Sequence, residues 1–144
     1  MIRSVAAALA LLSVPAVAAA PASQFDLKCA GTRTTKSMGT VSSEPYASVY
    51  RIDLDRKKWC EDECKALHDI ASVQPAQLTL QNEDEDTPSG SSTLSNFIDR
   101  ETGAHRILAA SKMWRSPAMT VVLEWKGSCE PAAFSGFPDL KTKF

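Results

Sequence analysis

Histidine is scarce in this chain, with only His68 and His105 among 144 residues, so side chains that titrate near neutrality are few. The common catalytic frames are missing too. No serine sits in G-x-S-x-G, no H-E-x-x-H occurs, and no glycine-rich loop is built to cradle phosphate. Charge of one sign is also lacking: 16 Lys and Arg stand against 17 Asp and Glu, for a formal net charge of −1. That balance gives no overall pull toward nucleic acid or an anionic membrane. The short basic cluster Arg56, Lys57, Lys58 reads as a solvated hairpin tip.

Long apolar runs are absent except at the start. The opening "MIRSVAAALALLSVPAVAAA" carries Arg3, then no charge from Ser4 to Ser23, and ends in small residues. This is the pattern of a cleaved signal peptide, expected over residues 1–22 with the cut after Ala18, Ala20 or Ala22. Pro21 disfavours a cut directly before it. Pro15 and the many alanines make the segment a poor transmembrane anchor, which needs ~20 strongly apolar residues. The first cysteine after this zone is Cys29, too distant for lipoprotein anchoring. Residues 23–144 then form a single domain, exported to a bacterial periplasm or secreted, with no membrane span.

What is present is a period of two. Phe25, Leu27 and Cys29 alternate with Asp26 and Lys28. Tyr46, Tyr50, Ile52 and Leu54 share a face, as do Leu78 and Leu80. In "MTVVLEWKGSC", Met119, Val121, Leu123, Trp125 and Cys129 lie opposite Thr120, Glu124, Lys126 and Ser128. Strands with one apolar and one wet face belong to antiparallel sheets. Turns are signalled by "LDRKK", by "VQPAQ" with Pro75, and by "IDRETG"; Asp55 in the first and Asp99 in the last can accept backbone amides of their turns, and Gly103 suits positive φ. The expected fold is an all-β antiparallel meander of about seven or eight strands, forming a small barrel or sandwich.

Two segments break the rhythm. "TTKSMGTVSSEP" reads as a polar connection between the first strands. "NEDEDTPSGSS" (Asn82 to Ser92) reads as a solvated, mobile loop. A calcium loop does not fit it: with Asn82, Asp84 and Asp86 at positions one, three and five, Thr87 falls where glycine is needed and Thr93 where glutamate is needed.

Four cysteines in an exported chain suggest two disulfides, and three pairings are open. Cys29 lies on the apolar face of the first strand and Cys129 on that of the last, and these strands are neighbours in a closed meander. A Cys29–Cys129 bridge would close a loop of ~100 residues, worth up to ~4–5 kcal/mol in chain entropy. Cys60 is left with Cys64. Competing chemistry is weak. A helix over residues 59–71 would align Cys60, Cys64 and His68 as zinc ligands, but no fourth ligand stands nearby and the compartment oxidises thiols. A redox pair is disfavoured by C-x-x-x-C spacing and by Glu61, Asp62 and Glu63, which raise a thiol pKa.

Taken together, "FDLKCAGT", "YRIDLDRKKWCEDEC", "IDRETG" and "GSCEPAAFSGFP" make the chain similar to a loose group of small exported bacterial proteins without assigned activity. The resemblance implies a shared fold and an exported destination, and it supplies no catalytic residue, metal or cofactor. The functional expectation is a non-catalytic β module that binds a small ligand, an envelope component or a protein. Two alternatives stand beside it. One is an inhibitor-like domain presenting Asn82 to Ser92. The other is a hydrolase using His68 or His105, which needs that histidine buried beside a carboxylate. Aromatic residues, Tyr50 and Trp125 above all, are expected to fill the core.

Overall fold

The computed structural model describes residues 22–138, and among them it contains nine strands and no helix. The leader expected over residues 1–22 lies outside the described residues apart from Ala22. The strands are β1 (Gln24–Ser37), β2 (Thr40–Asp53), β3 (Lys58–Glu61), β4 (His68–Asp69), β5 (Ser72–Val73), β6 (Gln77–Thr87), β7 (Gly90–Asp99), β8 (Ala104–Met113) and β9 (Ser116–Ala132). They form one antiparallel sheet in the order β4-β3-β2-β1-β9-β8-β7-β6-β5, curled into a half-barrel. The count exceeds seven or eight because β4 and β5 are two-residue strands that no alternation could announce.

This order is an up-and-down meander joined through its first and last strands and left open at a seam between β4 and β5. The β1–β9 register sets Cys29 directly opposite Cys129, and the disulfide between them spans a Cα–Cα distance of 4.0 Å. At the seam the chain passes straight from β4 to β5. Ile70 N–H donates to Lys57 O (3.0 Å) and Ala71 N–H to Leu80 O (3.3 Å), so this crossing ties both sheet ends together at one end of the trough. Elsewhere the edges stay free. β3 pairs with Tyr50 to Asp53 of β2 and with the two residues of β4, and β5 pairs with Leu78 and Thr79 of β6.

The two segments expected to be irregular are strands. Thr34 to Ser37 pair with Thr40 to Ser43 around a tight turn at Met38 and Gly39, whose φ values of 49° and 79° match the twist of an antiparallel hairpin. Asn82 to Thr87 continue β6 and pair with β7 through Ser95 to Gly90. Backbone pairing outweighs the low strand preference of the acidic residues here, since the open edge of β6 leaves their charges in water. Those charges also guard that edge against foreign strands.

The core gathers at the tied end of the trough. Leu27, Cys29, Tyr50, Ile52, Trp59, Ile70, Leu78, Leu80, Ile98 and Cys129 form one buried cluster. Full burial of a Leu or Ile side chain stabilises by roughly 1.5–3 kcal/mol. Trp59 donates its Nε1–H to Asp69 O (3.2 Å) and packs against Tyr50. Trp125 is not part of this core; it is half-buried farther out, with the Arg33 guanidinium 5.9 Å from its ring.

Two polar devices finish the tied end. Asp53, buried, accepts Arg56 N–H at 2.9 Å and Gln24 Nε2–H at 2.8 Å, so it holds the β2–β3 turn where Asp55 was expected to act. Asp99 plays the same part at the β7–β8 turn, accepting the amides of Glu101 and Thr102. Those amides hold its carboxyl below the ordinary carboxylate range, Thr102 contributing most. On the convex side the "FSGF" stretch lies over β1 and β2: Ser135 N–H donates to Asp26, and Arg51 donates to Gly136 O.

Candidate functional site

Because every pair is in antiparallel register, residues on the concave face can be read across the sheet row by row. One row runs Tyr46, Gly31, Gly127, His105 on β2, β1, β9 and β8. Two facing glycines leave a flat lane. A Cβ at Gly127 would stand 2.1 Å from Ala30 O and 2.6 Å from the Tyr46 hydroxyl, so the lane exists only without side chains. Tyr46 lies along it and donates its hydroxyl hydrogen to His105 Nδ1 (2.9 Å). His105 Nε2–H donates in turn to Asn96 Oδ1 on β7 (3.0 Å). Asn96 Oδ1 only accepts, so Nε2 carries a proton, and in the neutral ring Nδ1 is then the acceptor for Tyr46. Burial pushes the His105 pKa down to about 4, which favours the same state.

Tyr50 packs edge-on to His105 with ring centroids 5.3 Å apart. Its hydroxyl is buried without a hydrogen bond of good geometry. Burial, and then the charge of Glu61, push its pKa far up, so it stays a neutral phenol. Burial likewise raises Tyr46. The floor of the trough is therefore uncharged around His105.

Beyond this row the face changes character. Leu94 on β7, Ile107 and Ala109 on β8, and Val121, Leu123 and Trp125 on β9 stand on the concave side, each half-buried. Every substantial strand contact is between hydrogen-bonded neighbours, so among the described residues no second layer covers this wall. Polar residues border it. Arg33 pairs with Glu44 on the β2 side, and Glu83 and Glu85 stand on the β6 side. At the opposite, tied end, a cleft of about 490 Å³ is lined by Phe25, Leu27, Leu78, Ile98 and Cys129 beneath Arg100. Most of those lining residues are already buried, so a ligand there would gain little.

The other sequence candidates fall apart in space. Cys60 and Cys64 form a local disulfide around the turn after β3, with both sulfurs buried. His68 is exposed and lies against the Trp59 ring, 4.9 Å between centroids. No helix carries Cys60, Cys64 and His68 as one stripe. Asn82, Asp84 and Asp86 alternate with Glu83 and Glu85 along β6, so no loop wraps a cation. Cys29, Cys129 and His105 do lie within 4.8 Å of one another, but the sulfurs are bonded to each other and both ring nitrogens are engaged. The partner of His105 is an amide, not a carboxylate.

Sequence reasoning missed Tyr46, Asn96 and the two glycines as a unit. The available signal was glycine inside two strands, which marks a close backbone or ring approach. Among the described residues no helix is long and apolar enough to cross a membrane. The two disulfides fit an oxidising environment. No family model, curated protein or solved structure matches the chain.

Proposed function

We propose that the protein is a non-catalytic exported binding module, of the periplasm or the medium, whose trough accepts one elongated apolar ligand such as a lipid acyl chain. The observation that carries this reading is the uncovered concave wall of Leu94, Ile107, Val121, Leu123 and Trp125 above a sealed core. Apolar side chains arranged along a concave surface gain by covering, at roughly 25 cal/mol per Å² removed from water. The wall crosses β7, β8 and β9, and its row of Leu94, Ala109 and Leu123 gives an extended chain a track to lie along. The open seam lets a ligand enter from the side.

Chemistry on a substrate finds little support. His105 is neutral, buried and held by two hydrogen bonds, and no carboxylate touches it. A general base needs a free nitrogen within reach of its proton.

Titration with the environment-sensitive probe N-phenyl-1-naphthylamine, followed by competition with palmitate, tests the reading. The expected result is saturable probe binding, displacement by palmitate, and a changed Trp125 emission. Leu123→Glu should abolish both while circular dichroism stays native. Absence of binding, or binding indifferent to Leu123→Glu, would overturn the proposal.

A further inference from the structure

The concave face is divided in chemistry as well as in cover. The row of Leu94, Ala109 and Leu123 continues across the sheet onto Thr35 of β1 and Ser42 of β2. The next row outward passes from Val121 onto Ser37 and Thr40. In both rows apolar side chains give way to hydroxyls at the step from β9 to β1. Thr35 and Ser37 are half-buried, and Thr40 and Ser42 are exposed. Thr40 donates its hydroxyl hydrogen to Ser37 O at 2.6 Å. The hydroxyls of Thr35, Ser37 and Ser42 have no hydrogen-bond partner among the described residues.

One ion pair stands on this hydroxyl half. Arg33 and Glu44 face each other across β1 and β2 and are salt-bridged, and the guanidinium lies 5.9 Å from the Trp125 ring, where the apolar half begins. Arg33 Nε is buried and has no acceptor among the described residues. A buried donor without an acceptor costs free energy until one reaches it. The pair also limits what can sit there. A second carboxylate at Arg33 would meet the charge of Glu44, and an ammonium at Glu44 would meet the guanidinium. An uncharged group bearing hydroxyls meets neither penalty. Its oxygens can accept from Nε–H, and its hydroxyls can donate to or accept from Thr35 and Ser42. At their other ends the two rows finish on Glu83 and Glu85 of β6, exposed acids on an open edge. Charges so well hydrated gain little from a counter-ion.

We infer that the trough ligand is an amphiphile with a neutral polyhydroxylated head, a glycerol or a sugar, on its apolar chain. The chain lies along Leu94, Ala109 and Leu123, and the head oxygens meet Arg33 Nε–H, Thr35 and Ser42. From β7 to β2 is four strand spacings, about 19 Å along the sheet, which leaves room for chain and head end to end. This inference rests on the trough reading and adds to it the class of ligand and the direction in which the ligand lies.

The test is displacement of N-phenyl-1-naphthylamine from the protein, both disulfides intact, by twelve-carbon amphiphiles that differ only in the head. They are 1-lauroylglycerol, dodecyl maltoside, laurate and dodecylamine, each kept below its micelle concentration. One of the two polyols is expected to displace the probe at a concentration about fivefold lower than laurate or dodecylamine, and the better of the two identifies the head. Thr35→Val combined with Ser42→Ala removes two hydroxyls at nearly constant shape and should erase that preference, with circular dichroism native. Laurate matching the polyols, dodecylamine displacing best, or a preference that survives in the double variant would each overturn the head assignment and leave the trough reading standing. Displacement by none of the four would overturn both.

Discussion

Tyr46 reaches His105 across two intervening strands, with Tyr46 Oη 2.9 Å from His105 Nδ1 over the facing pair Gly31 and Gly127. The side chain spans β1 and β9 because neither strand offers a Cβ in its way. The bond therefore rests on residues defined by what they lack.

Gly127→Ala tests this directly. The new Cβ meets Ala30 O and the Tyr46 hydroxyl, so the strand pair must shift or the tyrosine must leave. A loss of about 3 kcal/mol or more in urea unfolding is expected. Tyr46→Phe removes one hydrogen bond and leaves the lane intact, and should cost about 1 kcal/mol.

The buried imidazole makes stability depend on pH, with a definite sign. His105 has its pKa lowered from 6.5 to about 4 in the fold, by burial. Above pH 6.5 it is neutral in both states and nothing is lost. As pH falls below 6.5, the unfolded chain takes up a proton that the folded chain accepts only near pH 4. Stability should thus decline through that window, by on the order of 3 kcal/mol. Urea midpoints measured from about pH 8 down to about pH 4 should show the decline, and His105→Gln should flatten that part of it.

The disulfides should differ in weight. Removing Cys29–Cys129, which spans a sequence separation of 100, is expected to cost up to about 4–5 kcal/mol. Removing Cys60–Cys64, with a separation of 4, should cost about 2 kcal/mol. Melting temperatures of the paired Cys→Ala variants give the order, and a larger loss for the local clip would contradict it.

Core and wall should separate on truncation. Leu80 is fully buried at the tied end, so Leu80→Ala should destabilise by about 2–5 kcal/mol. Leu123 is half-buried on an uncovered face, and Leu123→Ala should cost less than about 1.5 kcal/mol. Equal losses would mean that the wall is packed in solution.

Much of the fold was legible in the residues. The alternation in Phe25, Leu27, Cys29 and in Tyr50, Ile52 marks which side faces the core, since period two is a property of the extended backbone. The turns at Asp53 to Lys58 and Asp99 to Gly103 carry their own chemistry, although Asp53, not Asp55, holds the first of them. The acidic stretch Asn82 to Thr87 was not legible as a strand, because its composition disfavours one and only pairing with β7 supplies the reason. Trp125 misled in the same way: its row alternates correctly, yet only its inner end at Cys129 is covered.

By itself, then, the sequence determined an antiparallel sheet, its apolar face and cysteines suited to an oxidising environment, because these follow from local period and side-chain chemistry. Register, the seam between β4 and β5, and the meeting of Tyr46, His105 and Asn96 were decided only in three dimensions. They join residues 59 positions apart in the Tyr46–His105 bond and 100 apart where Cys29 faces Cys129, and no local preference encodes which strand lies beside which. Where the apolar face runs out of partners is likewise a tertiary fact, and it is the one on which the binding proposal stands.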